Sequence, residues 1–174
     1  MQITRLCSIS VIYQLKEHLH NNGFTTEAAY SSAFPFVKVL TKDQAYTQLD
    51  PECIVVYPSN QFDQGLQIGG GYWIRTLYNF DIYANSDGKL SDLVDLVRIY
   101  LETDSNILRY DQHAPTYQVS DGLVRTIYPD GTPAQVCQMS FENRTVTFLD
   151  RVTTIGEATA HSAQMTSVIS IPNN

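Results

Sequence analysis

"IGGGYWIRTLYNFDIYANSDGKLSDLVDLVRIYLE", Ile68 to Glu102, runs a glycine cluster, an alternating stretch and an amphipathic stretch together without a break. From Tyr72 to Tyr83 the residues alternate with period two. Tyr72, Ile74, Thr76, Tyr78, Phe80 and Ile82 fall on one face of a strand, and Trp73, Arg75, Leu77, Asn79, Asp81 and Tyr83 on the other. The first face is apolar and is expected to cover the core. The second mixes polar and large side chains and reads as a surface for partners. At ~3.3 Å per residue the strand spans about 40 Å, longer than most. Asn85-Ser86-Asp87-Gly88 then turns the chain, with Ser86 or Asp87 as the cap of a helix from about Lys89 to Glu102. Leu90, Leu93, Val94, Val97, Tyr100 and Leu101 form its buried stripe. Asp92, Asp95, Arg98 and Glu102 form its wet face, where Arg98 can meet both acids.

Gly69, Gly70 and Gly71 invite a phosphate-loop reading, but their context is wrong for it. A Walker loop needs Lys and Ser or Thr directly after its last glycine, and here Gly71-Tyr72 follows Gly70. A dinucleotide fingerprint needs a strand before its glycines and a helix after them, whereas here a strand comes after. The run reads as a bendable loop entering a strand.

Upstream, residues 3 to 22 read as a helix. Leu6, Ile9, Ile12, Leu15 and Leu19 recur at three- and four-residue steps, and Gly23 is the expected stop. Phe34–Leu40 and Cys53–Tyr57 read as strands. Downstream, Gln118–Tyr128 and Pro133–Val152 read as strands with Asp130-Gly131 as the hairpin turn between them. Thr153–Asn174 is rich in Ser, Thr and Ala around an apolar patch at Val168, Ile169 and Ile171. It reads as a last strand, a docking arm or a frayed tail. The expected fold is α+β: a mixed, mainly antiparallel sheet with two helices on one face, a C-terminal β-hairpin and an extended arm. The expected division is one domain over residues 1–152 and an arm or extra strand over 153–174.

Composition bounds the function. The 174 residues carry a formal charge of -7, which opposes a general grip on nucleic acid but suits a wall that nucleic acid slides past. Eleven Tyr against three Met favour sheet and interface surfaces over a helical bundle. Cys7, Cys53 and Cys137 form no CxxC and read as reduced thiols. The first residues make a poor signal peptide and no stretch is apolar enough to span a bilayer, so a soluble intracellular protein is expected.

No constellation of chemistry emerges. His18, His20, His113 and His161 stand in no HExxH or carboxylate cluster and read as surface histidines, with no metal expected. No G-x-S-x-G occurs, and Cys53 in a buried strand would be an inert thiol. Asp121-Gly122 and Asp130-Gly131 are turn chemistry, and Asp43, Asp50, Glu52 and Asp63 read as a solvated face. The expectation is a non-enzyme without catalytic residues or cofactor.

The stretch Arg75 to Glu102 resembles the tail terminator proteins of long-tailed bacteriophages, also known as minor tail or neck proteins. In that family a strand of the type R-x-x-x-x-F-D-hydrophobic-Y-A runs into an acidic turn and a helix of the type L-x-D-L-x-hydrophobic-hydrophobic-R. Arg75, Phe80, Asp81, Tyr83 and Ala84 stand in the strand, and Leu93, Asp95, Leu96 and Arg98 in the helix, where Arg98 follows Leu96 by two residues and not by four. The resemblance covers about residues 3 to 103. The segment from Lys42 to Gly71 and the region after Asp104 are longer than a compact terminator needs. The resemblance implies a virion structural protein of the tail or neck, assembled in the host cytoplasm as a homo-oligomeric ring, usually a hexamer. Such a ring caps the tail tube and joins it to the head-tail connector or stopper around the DNA channel, in some tails beside a sheath. DNA passes without sequence-specific binding, and no membrane is involved. Another neck component, such as a stopper or sheath adaptor, is the alternative, with a small-molecule-binding α+β protein further off. The interface expected on these grounds comprises Gly69, Gly70 and Gly71 in the loop, Trp73, Arg75, Leu77, Asn79 and Tyr83 on the outer strand face, and Asp92, Asp95 and Arg98 on the helix.

Overall fold

The computed structural model describes residues 3–65, 72–103, 105–110, 113–155 and 158–173. In chain order these form α1 (Ile3–Asn21), β1 (Lys38–Thr41), α2 (Lys42–Gln48), β2 (Cys53–Gly65), β3 (Tyr72–Ala84) and α3 (Asp87–Leu101). Then come β4 (Ser105–Arg109), β5 (Thr116–Ser120), β6 (Leu123–Ile127), β7 (Ala134–Ile155) and β8 (Ala158–Asn173). Six strands make one sheet in the order β1-β2-β3-β8-β7-β4, and β5 and β6 make a separate two-stranded ribbon. All neighbours are antiparallel except β1 and β2, which are parallel. The fold is α+β, as the sequence predicts.

The alternation in β3 decides the layering. Ile74, Thr76, Tyr78, Phe80, Ile82 and Ala84 are all buried, under α1 and α3. Each helix contributes one stripe to that layer: Leu6, Val11, Leu15 and Leu19 from α1, and Leu90, Leu93, Val94, Val97 and Leu101 from α3. The stripe of α1 is turned from the predicted one. Val11, Cys7 and Ser10 are buried, while Ile9 and Ile12 lie on its flanks. Ser10 explains the turn: its hydroxyl accepts from the Leu108 amide at 2.9 Å and is 3.2 Å from the Leu108 carbonyl, which fixes α1 on β4. Ser86 is the cap of α3, its hydroxyl accepting from the Lys89 amide at 3.4 Å. Gly23 ends α1 with φ +83°, a conformation that costs a glycine little.

At the end of the chain the structure decides between the readings in favour of a last strand. Residues 158–173 are neither arm nor tail but the strand β8, inserted between β3 and β7 at the middle of the sheet. Val168, Ile169 and Ile171 are buried there. Its alternation is hard to read because small polar residues, Ser162, Ser167 and Ser170, are buried beside them.

Asp130-Gly131 turns the chain, with the Gly131 amide donating to the Tyr128 carbonyl at 3.1 Å, but the strands around it do not pair with each other. The hairpin lies within the predicted Gln118–Tyr128 strand, where Asp121 (φ 53°) and Gly122 (φ 72°) make the two-residue turn between β5 and β6. Between Lys42 and Gly65 the chain forms the short helix α2 and then β2, which carries the expected Cys53–Tyr57 strand on to Gly65. Thr41 starts that helix with a reciprocal capping box to Gln44.

Candidate interaction surface

The face of the sheet away from α1 and α3 carries the residues expected to meet partners. Cross-strand register stacks them in rows: Cys53, Tyr83, Ser162 and Leu149; then Val55, Asp81, Gln164 and Thr147; then Tyr57, Asn79, Thr166 and Thr145; then Asn60, Leu77, Val168 and Glu142. Residues directly opposite share a face, so each row is a line of touching side chains.

Much of this face is committed within the chain. At one end α2 folds over it, placing Ala45 and Leu49 against Leu40, Cys53 and Val55, with Tyr57 and Tyr83 at the margin of this second small core. Burial there pushes the Cys53 thiol up to about 12. In the middle, Asp81 accepts from the Tyr57 hydroxyl at 2.9 Å and from Gln164 Nε2 at 2.8 Å. Burial first, and then the Asp81 hydrogen bond and charge, push the Tyr57 phenol up to about 12. At the other end Arg75 and Glu142 form an ion pair at 2.5 Å beside the buried Val168 and Ser170.

The predicted interface residues therefore divide. Asn79 is only 7% exposed, because Tyr57 and Thr166 flank it in register, and it offers a partner almost no surface. Trp73, Arg75, Leu77 and Tyr83 are half-buried. Asp92, Asp95 and Arg98 are exposed on α3 as read, with Arg98 and Asp95 paired at 3.1 Å. They lie on the helix layer, so the structure does not bring them together with the strand residues. Gly69, Gly70 and Gly71 lie outside the described residues.

The more accessible apolar surface lies elsewhere. Phe148 and Leu149 on β7 are 53% and 50% exposed. Among the described residues no strand pairs with β7 on its outer side beyond Met139, or with β2 on its outer side beyond Val56. Sequence reasoning missed these edges. The signal available was the apolar pair Phe148-Leu149, which breaks the alternation of β7 near a register shift between Leu149 and Thr153.

Two open clefts bear on small-molecule binding. One, of about 390 Å³, is walled by Tyr13, Lys16, Glu27, Tyr30 and Tyr117, but Lys16 already meets Glu27 at 3.7 Å. The other, of about 330 Å³, is walled by Gln14, Glu17, His18, Asn21 and Tyr100, and burial holds His18 below its ordinary value. Neither gathers the converging charged groups that catalysis uses. His20 is not a surface histidine: it is 1% exposed, and its Nε2 accepts from the Thr26 amide at 3.0 Å. Among the described residues no group of three or more His, Cys, Asp or Glu is placed to hold a metal, and no helix is long and apolar enough to cross a membrane.

No family model matches this chain, and none of the curated proteins matches it.

Proposed function

We propose that the chain is a structural virion protein, a ring-forming tail terminator that caps the tail tube and joins it to the head connector around the DNA channel. The observation that carries this reading is the position of the unit that resembles that family. The strand and helix of Tyr72–Leu101 lie in the middle of the fold, and five of the nine matched positions help to hold it, whereas Asp95 and Arg98 are exposed. Phe80, Ala84 and Leu93 are buried between the layers, while Arg75 and Asp81 tie β3 to β7, β2 and β8.

Two further features support it. The formal charge of -7 suits a channel wall that lets DNA pass without holding it. Among the described residues, β2 beyond Val56 and β7 beyond Met139 have no outer neighbour, which gives each copy somewhere to receive another. The partners of such a ring are the tail tube protein, the connector or stopper and, in contractile tails, the sheath. The chemistry is that of assembly, with no cofactor and no reaction.

Negative-stain images of particles lacking this protein test the assignment. A terminator predicts tails of uncontrolled length and unjoined heads. Full-length tails with heads that leak DNA would instead assign the chain to a stopper position, and normal particles would remove it from the neck.

A further inference from the structure

The β5–β6 ribbon stands apart from the main sheet. Among the described residues it pairs with no other strand, and it meets the helix layer at α1. A two-stranded ribbon has little stability of its own, so its position depends on what lies under it. Val124 is its one fully buried side chain among the described residues, and it belongs to neither apolar core. The rest of the seam is polar and aromatic. The His20 ring meets Tyr117 edge-on with centres 4.8 Å apart, and Lys16 Nζ lies 5.7 Å from the centre of the same Tyr117 ring. Tyr110 lies 4.8 Å from Tyr13 and 6.4 Å from Tyr128, ring centre to ring centre.

This seam leaves polar atoms unmatched. Tyr117 and Thr126 stand opposite each other in register and so share a face of the ribbon. Tyr117 Oη and Thr126 Oγ1 are buried without a hydrogen-bond partner, and so are His20 Nδ1 and Tyr110 Oη on the other side of the seam. Burial without a partner opposes closure, because water would satisfy each of these atoms. Few bonds hold the ribbon down. Tyr30 Oη donates to the Tyr117 carbonyl at 2.9 Å, Tyr128 Oη donates to Glu17 at 3.0 Å, and Arg125 Nη1 donates to Asn21 Oδ1 at 3.4 Å. The open cleft of about 390 Å³ between Tyr13, Tyr30 and Tyr117 runs along the same seam and leaves that margin unpacked.

The two legs of the ribbon are tied to each other at the base. The His113 amide donates to Asp130 Oδ2 at 2.8 Å, and His113 Nδ1 lies 2.8 Å from Oδ1. Pro115 enters β5, and Pro129 and Pro133 lie between β6 and β7, where none of them has an amide hydrogen to bond to a neighbour.

We infer that the β5–β6 ribbon is a flap, closed over the second half of α1 and lifted from it as one body about residues 113–115 and 129–133, with its internal strand pairing intact. Lifting returns the Tyr117 and Thr126 hydroxyls to water and uncovers the strip of α1 that carries Lys16 and His20. The flap belongs to the single chain and holds whether or not copies form a ring.

Acetylation of phenols by N-acetylimidazole at neutral pH, mapped by mass spectrometry on the full chain, reads the opening at Tyr117 Oη, with hydrogen exchange on the same samples. In wild type, Tyr117 is labelled more slowly than the exposed Tyr46 and faster than Tyr78, which is 0% exposed and is reached only by global unfolding. The amides of 117–119 and 124–126 stay protected meanwhile. Tyr30→Phe and Tyr128→Phe each speed the labelling of Tyr117 by about fivefold. Thr126→Val, which removes one unmatched hydroxyl, slows it by about fivefold, and none of the three changes the labelling of Tyr78. Tyr117 labelled no faster than Tyr78 overturns the flap, as does labelling that neither Tyr30→Phe nor Thr126→Val alters. Strand protection lost together with the labelling means that the ribbon unfolds in place, and overturns it too. Should a tyrosine variant fail to fold, Thr126→Val and the wild-type comparison decide.

Discussion

The Tyr57 hydroxyl donates to Asp81 Oδ2 at 2.9 Å, and this bond ties β2 to β3 on the side of the sheet that carries no long helix. Gln164 from β8 donates to the other carboxylate oxygen at 2.8 Å, so one side chain holds three strands. Removing the acceptor strands two half-buried donors at once. Asp81→Ala is expected to destabilise the fold by about 2 kcal/mol, and Tyr57→Phe, which removes one donor and leaves Asp81 its bond from Gln164, by about 1 kcal/mol. Urea unfolding of both variants measures this, and equal costs would show that the carboxylate does not join the strands.

Alkaline titration follows from the same burial. Burial raises Tyr57, Tyr78, Tyr83, Tyr100, Tyr110, Tyr117 and Tyr128 above their ordinary value of 10.0. The unfolded chain loses these protons first, so their contribution is complete below pH 10 and is lost as pH rises through the folded values. Phenolate absorbance should therefore rise together with unfolding. A smooth titration centred near pH 10 in a protein that keeps its far-ultraviolet signal would contradict the burial of these rings.

Acid acts through His20. Its Nε2 accepts from the Thr26 amide, so the ring is neutral with its proton on Nδ1, and Nδ1 has no hydrogen-bond partner. Burial first, then the charge of Lys16, lowers its value from 6.5 to about 4. The unfolded state binds the proton first as pH falls, so stability is complete above pH 6.5 and declines toward pH 4, by on the order of 2–3 kcal/mol. His20→Gln should flatten that slope in urea midpoints measured between pH 7 and 5. An unchanged slope would remove His20 as its source.

The two faces of the strand–helix unit should respond differently to truncation. Phe80 is 0% exposed between the helices and β8, and Phe80→Ala is expected to cost ~3–5 kcal/mol. Asp92→Ala with Asp95→Ala, on the exposed face of α3, should leave stability within about 0.5 kcal/mol of wild type. Thermal melting distinguishes them, and a large loss in the double variant would mean that α3 is held by its charges.

The parts of the fold that were legible in the sequence are those whose burial is one-sided. β3 and α3 each set an apolar face against a polar one, so period alone places them. β4 hides because Ile107 is its only fully buried residue. α2 has no buried residue and so no periodicity, and its only mark is the Thr41–Gln44 box. The outer half of β2, Pro58 to Gly65, is polar and pairs on one flank alone, so it looks like a loop. Asp121-Gly122 and Asp130-Gly131 are the same dipeptide, and only the distant pairing of β7 with β8 and β4 makes one a hairpin and the other a link. The candidate site was half legible. The outer face of β3 was found, but what covers it comes from α2, β7 and β8, which no local pattern in β3 reveals.

Electron microscopy of tail tubes incubated with the purified chain tests the proposed role most directly. The account predicts a ring of this protein seated on one end of each tube and tubes that stop lengthening once it is bound. Bare tube ends that continue to grow beside a monodisperse monomer would contradict it.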